Sequence, residues 1–156
     1  MRLPISIIAL FISLPFTSFA PAEAQAISFT PTTLDRSTIG HIIDRQAEAY
    51  GLPAELVKAI ITVESSWHRD ARNGSSVGLM QITPGTANAL GYKGATKLLF
   101  DPETNIVFGV RYLAQAYALA DGDLCGTVTR YQSGLTATRP NAANRAYCKK
   151  MKALLP

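Results

Sequence analysis

Cysteine is almost missing from this chain, with Cys125 and Cys148 the only two in 156 residues. Two sulfurs cannot staple a coreless mini-protein. Neither lies in a Cys-x-x-Cys pair or near a histidine at ligand spacing, so no structural zinc site and no metal chemistry is expected. Charge is also sparse: charged residues are 17% of the chain, and fifteen Lys plus Arg against eleven Asp plus Glu leave a formal charge of +4. The densest basic group is Lys149, Lys150 and Lys152. Such an excess favours anionic surroundings but is too small and scattered for a nucleic-acid binder. Internal repeats, low-complexity tracts and alternating runs of strand length are lacking as well, which excludes solenoids and most all-β folds. What remains is a chain that is 47% hydrophobic, long enough for one core and too short for two.

The first residues differ from the rest. Arg2 is followed by an uncharged stretch from Leu3 to Ala20 rich in Ile, Leu and Phe, the pattern of a secretory signal peptide. Small-x-small sites at Ala22-Glu23-Ala24 and Ala24-Gln25-Ala26 allow cleavage after Ala24 or Ala26. An uncleaved membrane anchor is the rival reading, opposed by Pro4, Pro15 and Pro21 and by the lack of stop-transfer charges. The expected organisation is therefore a signal peptide over 1–24, an extended lead-in over 25–36 and one domain over 37–156. The protein is expected to be periplasmic or secreted. In an oxidising compartment an even pair of cysteines closes, so Cys125 and Cys148 are expected to form a disulfide, the alternative being two separate buried thiols.

Helical spacing dominates the mature chain. Ser37 or Thr38 offers a cap for a helix carrying Ile39, Ile42, Ile43 and Ala47, which Gly51 stops. Pro53 opens a second helix whose stripe is Leu56, Ala59, Ile60 and Val63. Arg69 to Gly78 reads as a polar surface loop. Thr83-Pro84 and Asp101-Pro102-Glu103 are further helix starts, and 124–131 and 142–154 are two more helical segments. The expected fold class is all-α, with a short β-hairpin at most.

Glu64 stands out because it lies four residues after Ile60 and eight after Leu56, on the stripe that faces the core. Burial disfavours the ionised carboxyl and raises its pKa. At pH 7 an ordinary Glu is only ~0.2% protonated, whereas a shift of about two units makes it ~15–20% protonated, a usable general acid. The plainer alternative is a structural Glu paired with an Arg or capping a helix.

The neighbours of Glu64 narrow the choice. Glu64-Ser65-Ser66-Trp67 is followed by Gly78-Leu79-Met80-Gln81-Ile82-Thr83-Pro84, then by Asp101-Pro102-Glu103-Thr104-Asn105-Ile106 with Gly109, Tyr112 and Leu113, and finally by Tyr131-Gln132-Ser133-Gly134. From about Ile39 to Gly134 this order resembles the soluble lytic transglycosylase domain, a lysozyme-like family that cleaves peptidoglycan glycan strands. The resemblance implies a lysozyme-like single domain with Glu64 as the one catalytic acid and base. It places Met80 and Gln81 in the glycan groove, with Gly78 letting backbone approach the sugar; ordinary core filling is the alternative for Met80. The Gln81 amide suits the substrate's N-acetyl groups. The Tyr131 hydroxyl is expected near the catalytic carboxyl, although Gln132 replaces the family's Asn. A loop residue among Asn73, Ser75 and Ser76 is expected to reach the site, Asn73 and Ser75 foremost. The Asp101 block recurs at spacing four and reads as a packing helix.

Two carboxylates are the rule for ordinary glycosidases. Here Asp70 falls in a loop, and Asp101, Asp121 and Asp123 fall at helix ends where capping explains them. The resemblance implies a route that needs only one: the muramic acid 6-hydroxyl replaces water, giving a 1,6-anhydro product. A hydrolytic muramidase on the same scaffold, and a non-catalytic wall-binding or secretion-assembly protein, are the rival readings. Peptidoglycan glycan strands are the expected partner of a monomer without cofactor, and a secretion-system or envelope protein is a further candidate partner through the lead-in or the basic tail near Lys149.

Overall fold

A computed structural model describes residues 35–156; the expected signal peptide and nearly all of the lead-in lie outside the described residues. Within them the order is α1 (Arg36–Ala49), α2 (Ala54–Ser65), β1 (Arg72–Asn73), β2 (Ser76–Val77), α3 (Pro84–Ala89), a 3-10 turn (Thr96–Phe100), α4 (Pro102–Leu119), α5 (Leu124–Ser133) and α6 (Ala142–Leu154). The expected all-α class with one hairpin is what the structure has. β1 and β2 pair antiparallel, Arg72 opposite Val77 and Asn73 opposite Ser76, around Gly74 at φ +59°. Among the described residues no helix is long and apolar enough to cross a membrane.

Local chemistry sets the helix ends. α1 begins two or three residues earlier than Ser37 or Thr38 would start it, because the Asp35 carboxylate accepts from the Thr38 amide at 2.8 Å and caps the helix. Asp101 and Asp123 cap α4 and α5 in the same way, which occupies both carboxylates with structure. Asn141 and Asn144 exchange side-chain and backbone bonds in a capping box at the start of α6.

α4 is the central helix and packs against α1, α3, α5 and the 3-10 turn. The main core joins Ile39, Ile43, Ile60, Leu79, Met80, Ile106, Leu113 and Met151, while Val77, Ile82, Tyr92 and Leu99 form a smaller cluster under the hairpin. α6 closes the other side, held to α5 by the Cys125–Cys148 disulfide with Cα atoms 5.2 Å apart. The expectation of paired cysteines is thus met.

One buried amide organises the middle of the chain. Asn105 is fully buried; its Nδ2 donates to the carbonyls of Val77 (2.9 Å) and Leu99 (2.7 Å), and its Oδ1 accepts from the Met80 amide at 2.8 Å. Gly78, at φ +76°, is required there because a Cβ would stand 2.2 Å from Asn105 Nδ2. Its smallness therefore serves Asn105. Gly109 similarly leaves room for Met80, whose Sδ would lie 2.5 Å from an added Cβ.

Two consequences are measurable. Asn105→Leu strands two carbonyls and one amide in the interior, so urea unfolding should show a loss of about 3 kcal/mol or more. Replacing both cysteines with serine should cost ~3 kcal/mol in the same assay, from the entropy of the 23-residue loop that the disulfide closes.

Candidate active site

Glu64 ends α2 in a cleft of about 290 Å³. The chain turns sharply after it: Ser66 and Trp67 both take left-handed backbone, φ 49° and 69°. Such conformations cost on the order of 1–2 kcal/mol each for residues with a Cβ. The Ser65 hydroxyl donates to the Ile61 carbonyl and accepts from the Trp67 amide at 3.2 Å, while Trp67 Nε1 donates to Thr62 Oγ1 at 2.9 Å. Arg36 stacks on the Trp67 ring, 4.7 Å from its centroid. The Glu-Ser-Ser-Trp run is thereby tied back onto its own helix, and the carboxyl is held at the cleft floor.

Glu64 is the one carboxylate among the residues lining this cleft, whose walls also carry Asn73, Ser76, Gln81, Thr83, Tyr112, Tyr131 and Gln132. Burial pushes its pKa above the ordinary Glu value, and a hydrogen bond from Tyr147 opposes that rise. The Tyr147 hydroxyl donates to Glu64 Oε1 at 2.8 Å. Tyr147 itself is buried, and both desolvation and the neighbouring carboxylate push its phenol far up, so it stays a donor.

Tyr131 lines the cleft together with Glu64, and its hydroxyl donates to the Met80 carbonyl at 2.7 Å. It remains near enough for the Glu64 charge to raise its phenol pKa, behind the larger effect of burial. Its ring lies 5.5 Å from that of Tyr112. Tyr147 was not singled out from the sequence. The available signal was its place on the α6 stripe with Asn144, Cys148 and Met151: a phenol carried inward there needs a polar partner, and Glu64 needs a donor.

The remaining expectations divide. Met80 is fully buried in the core and its side chain does not line the cleft, so core filling is the correct reading; its backbone serves Asn105 and Tyr131. Gln81 does line the cleft, in left-handed backbone at φ 46°. Its Nε2 donates to the carbonyls of Ala71 (3.1 Å) and Gly78 (2.8 Å), leaving Oε1 as the acceptor. Asn73 lines the cleft and Ser75 does not: Ser75 is exposed at the hairpin tip, and its neighbour Ser76 takes the lining position. The pleat explains the exchange, since Ser76 pairs directly with Asn73 across the hairpin. Gln132 uses its extra length to bridge helices, its Oε1 accepting from Asn144 Nδ2 at 2.6 Å.

This helical frame is that of the lysozyme-like lytic transglycosylases. The 70 kDa soluble lytic transglycosylase of Escherichia coli superposes with a TM-score of 0.67 at 24% identity, over 78% of this chain and 23% of that one. An inactive glutamate-to-glutamine mutant of lytic transglycosylase Slt from Pseudomonas aeruginosa gives 0.66 at 25% identity, again over 78% and 23%. The Transglycosylase SLT domain profile matches residues 41–154, and the chain belongs to that family. Among curated relatives, membrane-bound lytic murein transglycosylase C of Edwardsiella ictaluri is 32% identical over 128 residues, 76% of this chain and 36% of its own length. Membrane-bound lytic murein transglycosylase E of Buchnera aphidicola is 40% identical over 81 residues, 47% of this chain and 37% of its own. The chain thus spans about a third of the length of these relatives.

The geometry predicts two titration results. Tyr147→Phe removes the donor that favours ionised Glu64, so carboxyl-carbon NMR should show Glu64 titrating at higher pH than in wild type. Because burial raises this acid's pKa on folding, its ionisation opposes folding: stability is greatest below the ordinary Glu value and declines as pH rises through the folded value. Glu64→Gln keeps an acceptor for Tyr147 and cannot ionise. Its Tm should exceed that of wild type at pH 7, with the gap closing near pH 4.

Proposed function

We propose that the protein is a lytic transglycosylase that cuts the MurNAc-GlcNAc bond of peptidoglycan and leaves 1,6-anhydro-MurNAc. The observation that carries this reading is a single half-buried carboxyl, Glu64, held by Tyr147 in a cleft whose lining offers no second acid. Family membership and relatives named as murein transglycosylases support it.

One carboxyl suffices if it works twice. With its pKa raised, Glu64 donates its proton to the glycosidic oxygen as the C–O bond breaks. Sugar C1 becomes electron-poor as the leaving alcohol departs with that proton. Ionised Glu64 then removes the proton of the muramic acid 6-hydroxyl while that oxygen bonds to C1, closing the anhydro ring and restoring the acid. Tyr147 favours the ionised half of the cycle and burial favours the protonated half, so the carboxyl can pass through both states. Gln81 Oε1 and Asn73 supply acceptor and donor groups for the substrate's N-acetyl amides. The buried ring of Tyr131, with Tyr112, walls the cleft on the α5 side and limits access by water.

The same reading places the protein outside the cytoplasmic membrane, in the periplasm or secreted. The charged start and apolar run of residues 1–24, the disulfide and the wall-acting relatives support that location.

The test is digestion of isolated sacculi with product analysis. Wild type should release muropeptides ending in 1,6-anhydro-MurNAc, and Glu64→Gln should lose at least about 10³-fold in rate. Reducing-end MurNAc alone would instead mean a hydrolytic muramidase, and equal activity of variant and wild type would remove Glu64 from the chemistry.

A further inference from the structure

A second cavity, of about 420 Å³, opens beside the disulfide. Cys125, Cys148, Pro140 and Thr129 contribute its less polar surface, and Arg145, Lys149 and Lys152 its charge. The three cations are spaced i, i+4, i+7 on α6 and so share one stripe of the helix. No acidic residue lines the cavity. Among the described residues the ion pairs involve Arg45 and Lys58, and none uses these three cations. Arg145 Nη1 donates to the Pro140 carbonyl at 2.8 Å, which fixes the guanidinium at the edge of the cavity.

The cavity is linked to the Glu64 cleft by a side-chain hydrogen bond. Asn144 lines the cavity, and Asn144 Nδ2 donates to Oε1 of Gln132, which lines the cleft.

We propose that this cavity receives the peptide stem of the same glycan strand that occupies the cleft, its carboxylates meeting Arg145, Lys149 and Lys152. The inference rests on the transglycosylase reading. Each muramic acid of the wall polymer carries, through its lactyl group, a short peptide of small aliphatic side chains and free carboxylates. A less polar floor edged by three cations complements that chemistry: Arg145 offers a planar fork for a carboxylate, and the lysines offer mobile point charges. Exposed ion pairs are individually weak, on the order of 0–1 kcal/mol. The stem, however, is covalently joined to the strand in the cleft, so it binds intramolecularly, at an effective concentration of roughly millimolar. Weak contacts then translate into a preference for peptide-bearing strands. An acidic segment of an envelope or secretion-system protein would match the charge, but nothing would join it to the cleft, and the link between Asn144 and Gln132 favours the stem.

The experiment uses the mature full-length protein and a triple variant, Arg145→Gln with Lys149→Gln and Lys152→Gln, which keeps side-chain bulk. Both are assayed at low substrate concentration on peptide-bearing strands and on strands stripped of peptide by an amidase. Wild type should cleave the peptide-bearing strands about tenfold faster, and the variant should lose that advantage while keeping the wild-type rate on stripped strands. Equal loss on both substrates, or no change on either, overturns the proposal. Binding is read separately by NMR of the Glu64→Gln protein with free stem peptide: shifts at Arg145 and Lys149 that vanish in the triple variant support the cavity, and their absence overturns it, as does a response to an acidic protein segment alone. Failure of the transglycosylase reading looks different, because wild type would then cleave neither substrate while the NMR titration still reports on the cavity.

Discussion

The side chain of Asn105 is the point on which the cleft depends. A loop that runs from a two-residue strand into the core carries backbone groups that neither helix nor sheet can satisfy. Asn105, presented from the first turn of α4, satisfies two of them at once, at Val77 and Met80, and a third such group at Leu99 in the 3-10 turn. Gly78 and Gly109 are small because the amide and the Met80 side chain already fill the space where their Cβ atoms would go. With the loop fixed, the Met80 carbonyl faces the Tyr131 hydroxyl and Gln81 reaches the cleft.

Against that rigid wall stands a carboxyl under two opposed influences. Burial between α2 and its neighbours favours the neutral form of Glu64, while the Tyr147 hydroxyl favours the charged one. α6 brings Tyr147 to that position, and α6 is itself held by the disulfide to α5 and by the bond between Asn144 and Gln132. The same helix that tunes the carboxyl from within carries the cationic stripe on its outer side. Backbone strain gathers at the same place: Ser66, Trp67 and Gln81 are three of the four residues other than glycine with positive φ among the described residues. Packing elsewhere sustains these conformations, as it must wherever a site demands backbone that local preference rejects.

Much of this was legible in the residues. The 3.6-residue recurrence of Ile, Leu and Val gave the helices, Asp and Pro marked their starts, and Glu64 announced itself by standing on an apolar stripe. The Asp101 block read correctly as packing. Two site assignments failed for one reason: spacing in a motif says which residues lie together but not which way each one points. Met80 turned into the core, and Ser75 gave its place to Ser76 at the hairpin. Gln132, which departs from the family's Asn, found a partner in Asn144 that no local pattern could specify.

The sequence by itself determined the helical class, the pairing expected of its two cysteines and the identity of the one misplaced acid, because periodicity, capping and desolvation are local or nearly local effects. Tertiary structure alone decided which phenol touches that acid. Tyr147 lies 83 residues away from Glu64, and their meeting depends on how α6 docks over α2, a result of packing distributed over the whole core.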